Sequence, residues 1–301
     1  KVNPEEVNDC QENTHNEIYR RCVRATEGRK EDLMRTVIIQ EGLVQVGNAS
    51  PIKDLGNVVF CSKSDWREIF TRIESGLGPE SRVFALCSLT VARRARTLFP
   101  KISRGIWIDE APLRVSSFTG LVPETMLLNR TGIFLPLGTV PGRTDQIRSL
   151  YGDQVFIRPD SPMKAFAGTV CRTDDLAAEV SAIRQVNALH GDVLVFVDRA
   201  REIGLTEVRF WACDGEIVTA APYAHDGREP ALSGEDFGKA ETLARRVAAI
   251  MEPVVNPVVI DVVFEDGEAR LVEMNAFSTS GVYAGADLVR IVEAGWSVMG
   301  G

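Results

Sequence analysis

The chain has few of the groups that usually announce a chemistry. Its 301 residues include three histidines, at 15, 190 and 225, and no cluster of cysteine with histidine. Zinc chemistry and a Ser-His-Asp triad are therefore not expected. The six cysteines (10, 22, 61, 87, 171 and 213) are scattered without a C-x-x-C pair. They read as reduced thiols of a cytoplasmic protein. Neither a Walker A sequence nor G-x-G-x-x-G occurs, which removes support for a P-loop ATPase or a Rossmann dehydrogenase. No apolar run reaches membrane-spanning length and the first residues hold no signal-peptide apolar region, so no membrane partner is expected. Positive charge is also in deficit: the net charge is -8 and the pI is near 5.1. A chain that binds nucleic acid broadly needs a basic footprint, so nucleic acid is not an expected partner.

What is present is an ordinary globular composition, 45% hydrophobic and 25% charged. At this length it can bury a large core and is expected to hold two domains. Residues 1–33 are polar and carry both signs of charge, with a helical pattern from Asn13 to Val23. They read as a helical extension or as an added peptide. From Thr36 strand and helix alternate: Thr36–Gln40, Asn57–Cys61 and Arg82–Cys87 as strands, a helix capped by Ser64 and a helix from Thr90 ended by Pro100. That alternation predicts a small α/β domain with a mainly parallel sheet over 34–150, in which 109–150 is an irregular connection rich in proline.

From Tyr151 the pattern changes. Gln154–Arg158 and Lys164–Val170 read as strands around a Pro-Asp-Ser-Pro loop. Thr173 caps a helix, Val193–Val197 is a fully apolar strand, and Glu207–Cys213 with Glu216–Ala221 form a hairpin across Asp214-Gly215. Ser233 caps a further helix. The last hairpin, Val258–Tyr283, carries the strongest chemical signal. Asp261 stands in an otherwise apolar strand, where a carboxylate is costly unless something pairs with it. Glu273 and Asn275 are hard oxygen donors one strand period apart, on one face. A two-residue Asp266-Gly267 turn would put Asp261 on the opposite face; a three-residue loop, Glu265-Asp266-Gly267, would bring all three together. The three-residue loop is the expectation. Oxygens so placed suit magnesium, which takes few protein ligands when phosphates supply the rest.

Cations accompany these acids. Arg158 at a strand end and Lys164 six residues later bracket a turn, an arrangement that suits a polyphosphate or is a pair of solvated charges. Glu207 and Arg209 share a strand face, as a salt bridge would also require. The strand Val193–Asp198 is either a nucleotide hinge or a plain core strand.

The order of these parts, Arg158, Lys164, an apolar strand, Glu-Val-Arg209, Asp261 and Glu273-x-Asn275, resembles the ATP-grasp superfamily over about 151–285. LVEMNAF is similar to the E-x-N strand of members that extend peptides. Arg158 stands where lysine is usual. With Lys164 and Arg209, and with RPDSPMKAFAG and NAFSTSGVY, it resembles the divergent clade named for two arginines and a lysine. That clade includes phage and bacterial proteins thought to modify peptides, and a eukaryotic cell-division-cycle chaperone that assembles a translation initiation factor.

The resemblance implies an α/β protein, α+β in its C-terminal half, with an ATP-grasp domain over 151–301. It implies that Arg158 and Lys164 clamp ATP phosphates and that Arg209 meets the γ-phosphate. The backbone of Phe196 and Val197 would meet adenine, with Glu202 at adenine or ribose. Asp261, Glu273 and Asn275 would hold Mg2+, and Ser278, Ser280, Gly281 and Tyr283 would lie near the acceptor. The expected activity is ATP-dependent ligation of a carboxylate to an amine on a peptide or amino-acid-like substrate. Its alternative is an ATP-binding assembly factor whose protein partner docks on 1–150. A phosphotransferase would need a base that the sequence does not identify. An α/β protein without a nucleotide site is the remaining reading.

Overall fold

The computed structural model describes residues 35–45, 55–204, 206–224 and 228–298. The helix expected at 13–23, and the whole 1–33 extension, lie outside them. The chain divides into two compact units: one of 1–108, 218–221 and 277–301, the other of 109–217 and 222–276.

The first unit holds a parallel sheet ordered β2-β1-β3, from β1 (Arg35–Gln40), β2 (Asn57–Cys61) and β3 (Arg82–Leu86). Its strands are the apolar runs seen in the sequence, as expected for a sheet buried on both faces. Helix α1 (Trp66–Gly76) buries Trp66, Phe70 and Ile73. Its N-cap is Asp65, not Ser64, because Ser62 Oγ accepts from the Asp65 N–H and Asp65 Oδ1 accepts from the Ser62 N–H, closing a turn just before the helix. Helix α2 (Leu89–Leu98) stops before Pro100, which then opens the short α3 (Pro100–Ser103). A methyl group on Gly105 would fall 2.1 Å from the Val83 carbonyl oxygen, so only glycine allows the chain to pass this close to β3.

The second unit begins with the short α4 (Val115–Phe118) and contains two four-stranded sheets. One is antiparallel and ordered β4-β7-β5-β6, from β4 (Ile133–Pro136), β5 (Gln154–Pro159), β6 (Thr169–Arg172) and β7 (Leu194–Arg199). Helices α5 (Thr144–Tyr151) and α6 (Leu176–Val186) bury one face of it against Val155, Ile157, Val195 and Val197. The other sheet is ordered β11-β10-β8-β9, from β8 (Thr206–Cys213), β9 (Glu216–Ala224), β10 (Val258–Glu265) and β11 (Glu268–Ala276). Helix α7 (Gly234–Met251), capped by Ser233 Oγ as expected, packs on β8, β10 and β11 through Leu243, Val247 and Met251. The opposite face of this second sheet carries Arg209 and Asp261 beside the buried Trp211 and Val259.

Several elements depart from the sequence reading. The stretch 109–150 is not a connection within the first domain. It supplies β4, which pairs with β7, and α5, so the second unit starts near 109 rather than 151. The final segment from Phe277 belongs to the first unit. Lys164 to Gly168 form loop, not strand: Lys164 has φ 46°, and β6 starts only at Thr169. Thr173 is not the helix cap either; its Oγ1 donates to the Gly152 carbonyl, and Asp175 precedes α6. Among the described residues no helix is long and apolar enough to cross a membrane.

Candidate nucleotide-type site

The hairpin β10–β11 decides which side chains meet. Its turn is the two-residue Asp266-Gly267, with φ 53° and 77°, pairing Glu265 with Glu268; the expected three-residue loop does not form. A regular ladder from that turn would face Asp261 away from Glu273. Instead the register shifts between Asp261 and Val262, leaving Val272 as an extra residue and pairing Asp261 directly with Glu273. A β-bulge thus does what the longer loop was expected to do.

Arg158 fills the gap that the bulge opens. It reaches from β5 in the other sheet, donating from Nη1 to the Val272 carbonyl at 3.3 Å and from Nη2 to Glu273 Oε2 at 2.8 Å. Lys164 donates from Nζ to Glu273 Oε1 at 2.8 Å, and its own side chain is half exposed. The loop from Asp160 is anchored beneath it: buried Asp160 accepts the backbone N–H of Ser116, at the start of α4, and pairs with Arg114. Burial alone would raise the Glu273 carboxyl. Arg158, Lys164 and the hydrogen bonds from Lys164 and Asn275 outweigh it and hold the group at about 2.

The polar line continues across the sheet. Asn275 Nδ2 donates to Glu273 Oε1 at 3.0 Å and to Asp261 Oδ2 at 2.8 Å. Arg209, opposite Asp261 on β8, grips it through Nε (2.8 Å) and Nη2 (2.7 Å). The partner that a buried Asp261 requires is therefore a guanidinium. The Arg209 guanidinium lies 5.3 Å from the Tyr223 ring centre, and the Tyr223 hydroxyl donates to Glu207 Oε2 at 2.6 Å. Burial, then the charges of Asp261 and Glu207, push the Tyr223 phenol upward against the opposing effect of Arg209, so it stays protonated. Glu207, Arg209, Asp261 and Asn275 are all buried.

Arg158, Lys164, Arg209, Asp261, Glu273 and Asn275 are thus brought into one contiguous set spanning the two sheets. The other predicted residues are placed differently. Phe196 and Val197 sit in β7 between β4 and β5, so the ladder occupies their backbone and they offer no adenine edge. Strand pairing ends at Arg199, and Glu202 follows exposed in the loop. Ser278, Ser280, Gly281 and Tyr283 belong to the first unit. There Ser278 is fully buried, its Oγ accepting from the Trp107 N–H and its carbonyl from the Cys87 N–H.

Two features were not legible. A regular ladder from the Asp214-Gly215 turn would pair Tyr223 with Thr206 and face it the wrong way. The sequence carries one hint, Pro222 in a sheet-edge strand, where proline marks an edge or a bulge. The second is a cluster at the hairpin tip, where Glu265 binds Arg130 and Arg201 at 2.9 Å each and Arg270 at 3.5 Å.

In chemical terms the site offers three cations beside two carboxylates and an amide. No group of three or more His, Cys, Asp or Glu residues that could hold a metal occurs among the described residues. Two carboxylates and an amide oxygen are hard donors all the same, and they fit magnesium where phosphates complete its coordination.

Residues 130–294 match an ATP-grasp domain family, the third in the clade named for two arginines and a lysine, a span of more than half the 301 residues. The match begins just before β4, in keeping with the placement of that strand. No curated protein sequence matches the chain. Among solved structures, the D-alanine–D-alanine ligase of Bacillus anthracis aligns with TM-score 0.53 at 13% identity, covering 88% of this chain and 99% of that one. A D-cycloserine synthetase aligns with TM-score 0.51 at 13% identity, again over 88% and 99%. At such identity the likeness is one of fold.

Proposed function

We propose that this chain, which belongs to the ATP-grasp domains of the clade named for two arginines and a lysine, is an ATP-dependent carboxylate–amine ligase acting on a peptide or amino-acid-like substrate. The observation that carries this reading is the pairing of Arg158 and Lys164 with Glu273 across two sheets, continuous through Asn275 and Asp261 to Arg209. A named ligase of two D-alanines shares the fold, which supports an amino-acid-like substrate.

In this reading ATP phosphates exchange for Glu273 as partners of Arg158 and Lys164. Lys164, the most exposed of the cations, moves first. Glu273 and Asn275, with Asp261, would hold magnesium, which supplies charge neutralisation on the phosphates. Both Asp261 oxygens already accept from Arg209, so Glu273 is the principal ligand of the set. Adenine would lie by the loop after Arg199, where Glu202 stands. A substrate carboxylate oxygen attacks the γ-phosphorus, and the bond to the ADP oxygen breaks with its electron pair leaving on ADP. Arg209 is the proposed partner of the transferring phosphoryl group. The amine nitrogen then attacks the acyl carbon, the carbon–oxygen bond to phosphate breaks, and the amine proton passes to solvent. Such chemistry rests on positioning and charge, and no protein nucleophile is needed. Ser278 is committed to the backbone of Trp107 and Cys87.

The test supplies amino acids and short peptides as acid and amine together with Mg-ATP. ADP release should require both partners, and an 18O-labelled carboxylate should pass one label into the released phosphate. Unlabelled phosphate, or tight nucleotide binding with no turnover on any pair, would contradict the ligase reading. The second outcome together with a stably bound protein would point to an assembly factor.

A further inference from the structure

Arg209 is held from more than one side. Asp261 engages its Nε and Nη2 edge, while the Tyr223 ring lies 5.3 Å from the guanidinium centre. The ring is not merely packed there. Its hydroxyl is tied by a 2.6 Å bond to Glu207, two residues before Arg209 on the same strand face. Glu207, Tyr223 and Arg209 are 6–7% exposed and Asp261 is fully buried. Burying a second carboxylate near Asp261 is costly. A phenylalanine could pack against Arg209 in the same way, so the hydroxyl and its bond to Glu207 are a constraint on the ring beyond packing.

Parallel hydrogen bonds to Asp261 fix the edge of the guanidinium, and a ring against it restricts its tilt. The ring can do this only if it is itself fixed, and the short bond to Glu207 fixes it. We propose that Glu207 and Tyr223 are a positioning pair that sets the orientation of Arg209 for the terminal phosphoryl group of the nucleotide. The proposal rests on the nucleotide-site reading above and adds to it the residues that aim the arginine. Glu207 acts through Tyr223, and neither need touch the nucleotide.

The experiment measures dissociation constants of the full chain for AMP-PNP and for ADP, each with magnesium chloride. A misaimed Arg209 weakens only the ligand that has a γ-phosphate, whereas general loosening of the sheet weakens both. Tyr223→Phe keeps the ring and removes its anchor; it should weaken AMP-PNP about tenfold, which corresponds to roughly 1.4 kcal/mol, and leave ADP within about twofold. Glu207→Met, which keeps the volume and removes the acceptor, should do the same. The double variant should lose no more than either single one, because the two residues act as one unit. Glu207→Gln still accepts the hydroxyl and should recover most of the discrimination.

If Tyr223→Phe fails to fold, Glu207→Met carries the same prediction. Equal weakening of both nucleotides, unchanged AMP-PNP affinity in a folded variant, or additive losses would overturn the positioning role while leaving the nucleotide site standing. A wild-type chain that binds neither nucleotide would instead remove the site reading, and the positioning role with it.

Discussion

Asp261 shows how one residue can be legible while its environment is not. A carboxylate in the run Val258–Glu265 demands a partner, but which cation supplies it could not be read, because β8 meets β10 through pairing between distant segments. Nor could spacing give the geometry: a side-on grip by Nε and Nη2, with Asn275 on the same oxygen as Nη2. This makes Asp261 as much a structural residue as a ligand. Removing one member of a buried pair leaves the other charge uncompensated, at a cost of roughly 3–5 kcal/mol. Asp261→Ala should therefore lower the free energy of unfolding by about that amount in urea titrations. A loss below about 1 kcal/mol, the range of an exposed pair, would show that Arg209 finds water. Tyr223, by contrast, was not nominated, because counting back from the Asp214-Gly215 turn puts it on the face away from Arg209, whereas its ring and hydroxyl meet Arg209 and Glu207.

Among elements, the apolar strands were readable because burial on both faces leaves continuous Val and Ile runs. The sheet orders were not, since β4 joins β7 through pairing over some 60 residues of sequence, which local composition does not record. The final hairpin is the instructive case. Asp266-Gly267 takes the tight left-handed turn that such a pair favours, and the shift that unites Asp261 with Glu273 comes from Val272 instead. An ordinary valine carries no mark of a bulge. The same hairpin is tied at its tip by Glu265 to Arg130 and Arg201. Burial would raise the Glu265 carboxyl, but hydrogen bonds from those arginines bring it below the usual range. A group depressed on folding stabilises above its unfolded value of about 4.3 and loses that contribution as pH falls through its folded value. Glu265→Gln should therefore melt earlier than wild type at pH 7, by an amount near 2 kcal/mol. The gap should narrow progressively below about pH 4. A gap that stays constant from pH 7 to pH 3 would mean the charge contributes nothing.

For the whole molecule, the sequence order of cations and acids pointed to the family, while the partition of the chain did not follow from it. The irregular, proline-rich 109–150 reads as linker, yet it contributes a strand and a helix to the second unit, and the tail from Phe277 returns to the first. Both belong to units by packing between distant segments, which a linear reading sees poorly. What unites the molecule's chemistry is the set that joins the two four-stranded sheets at Glu273. The most direct measurement is a crystal structure of the chain grown with AMP-PNP and magnesium. It should place the β- and γ-phosphates about 3 Å from nitrogen atoms of Arg158, Lys164 and Arg209, with a cation on Glu273 and Asn275. A nucleotide bound elsewhere, with both cations still on Glu273, would contradict the assignment.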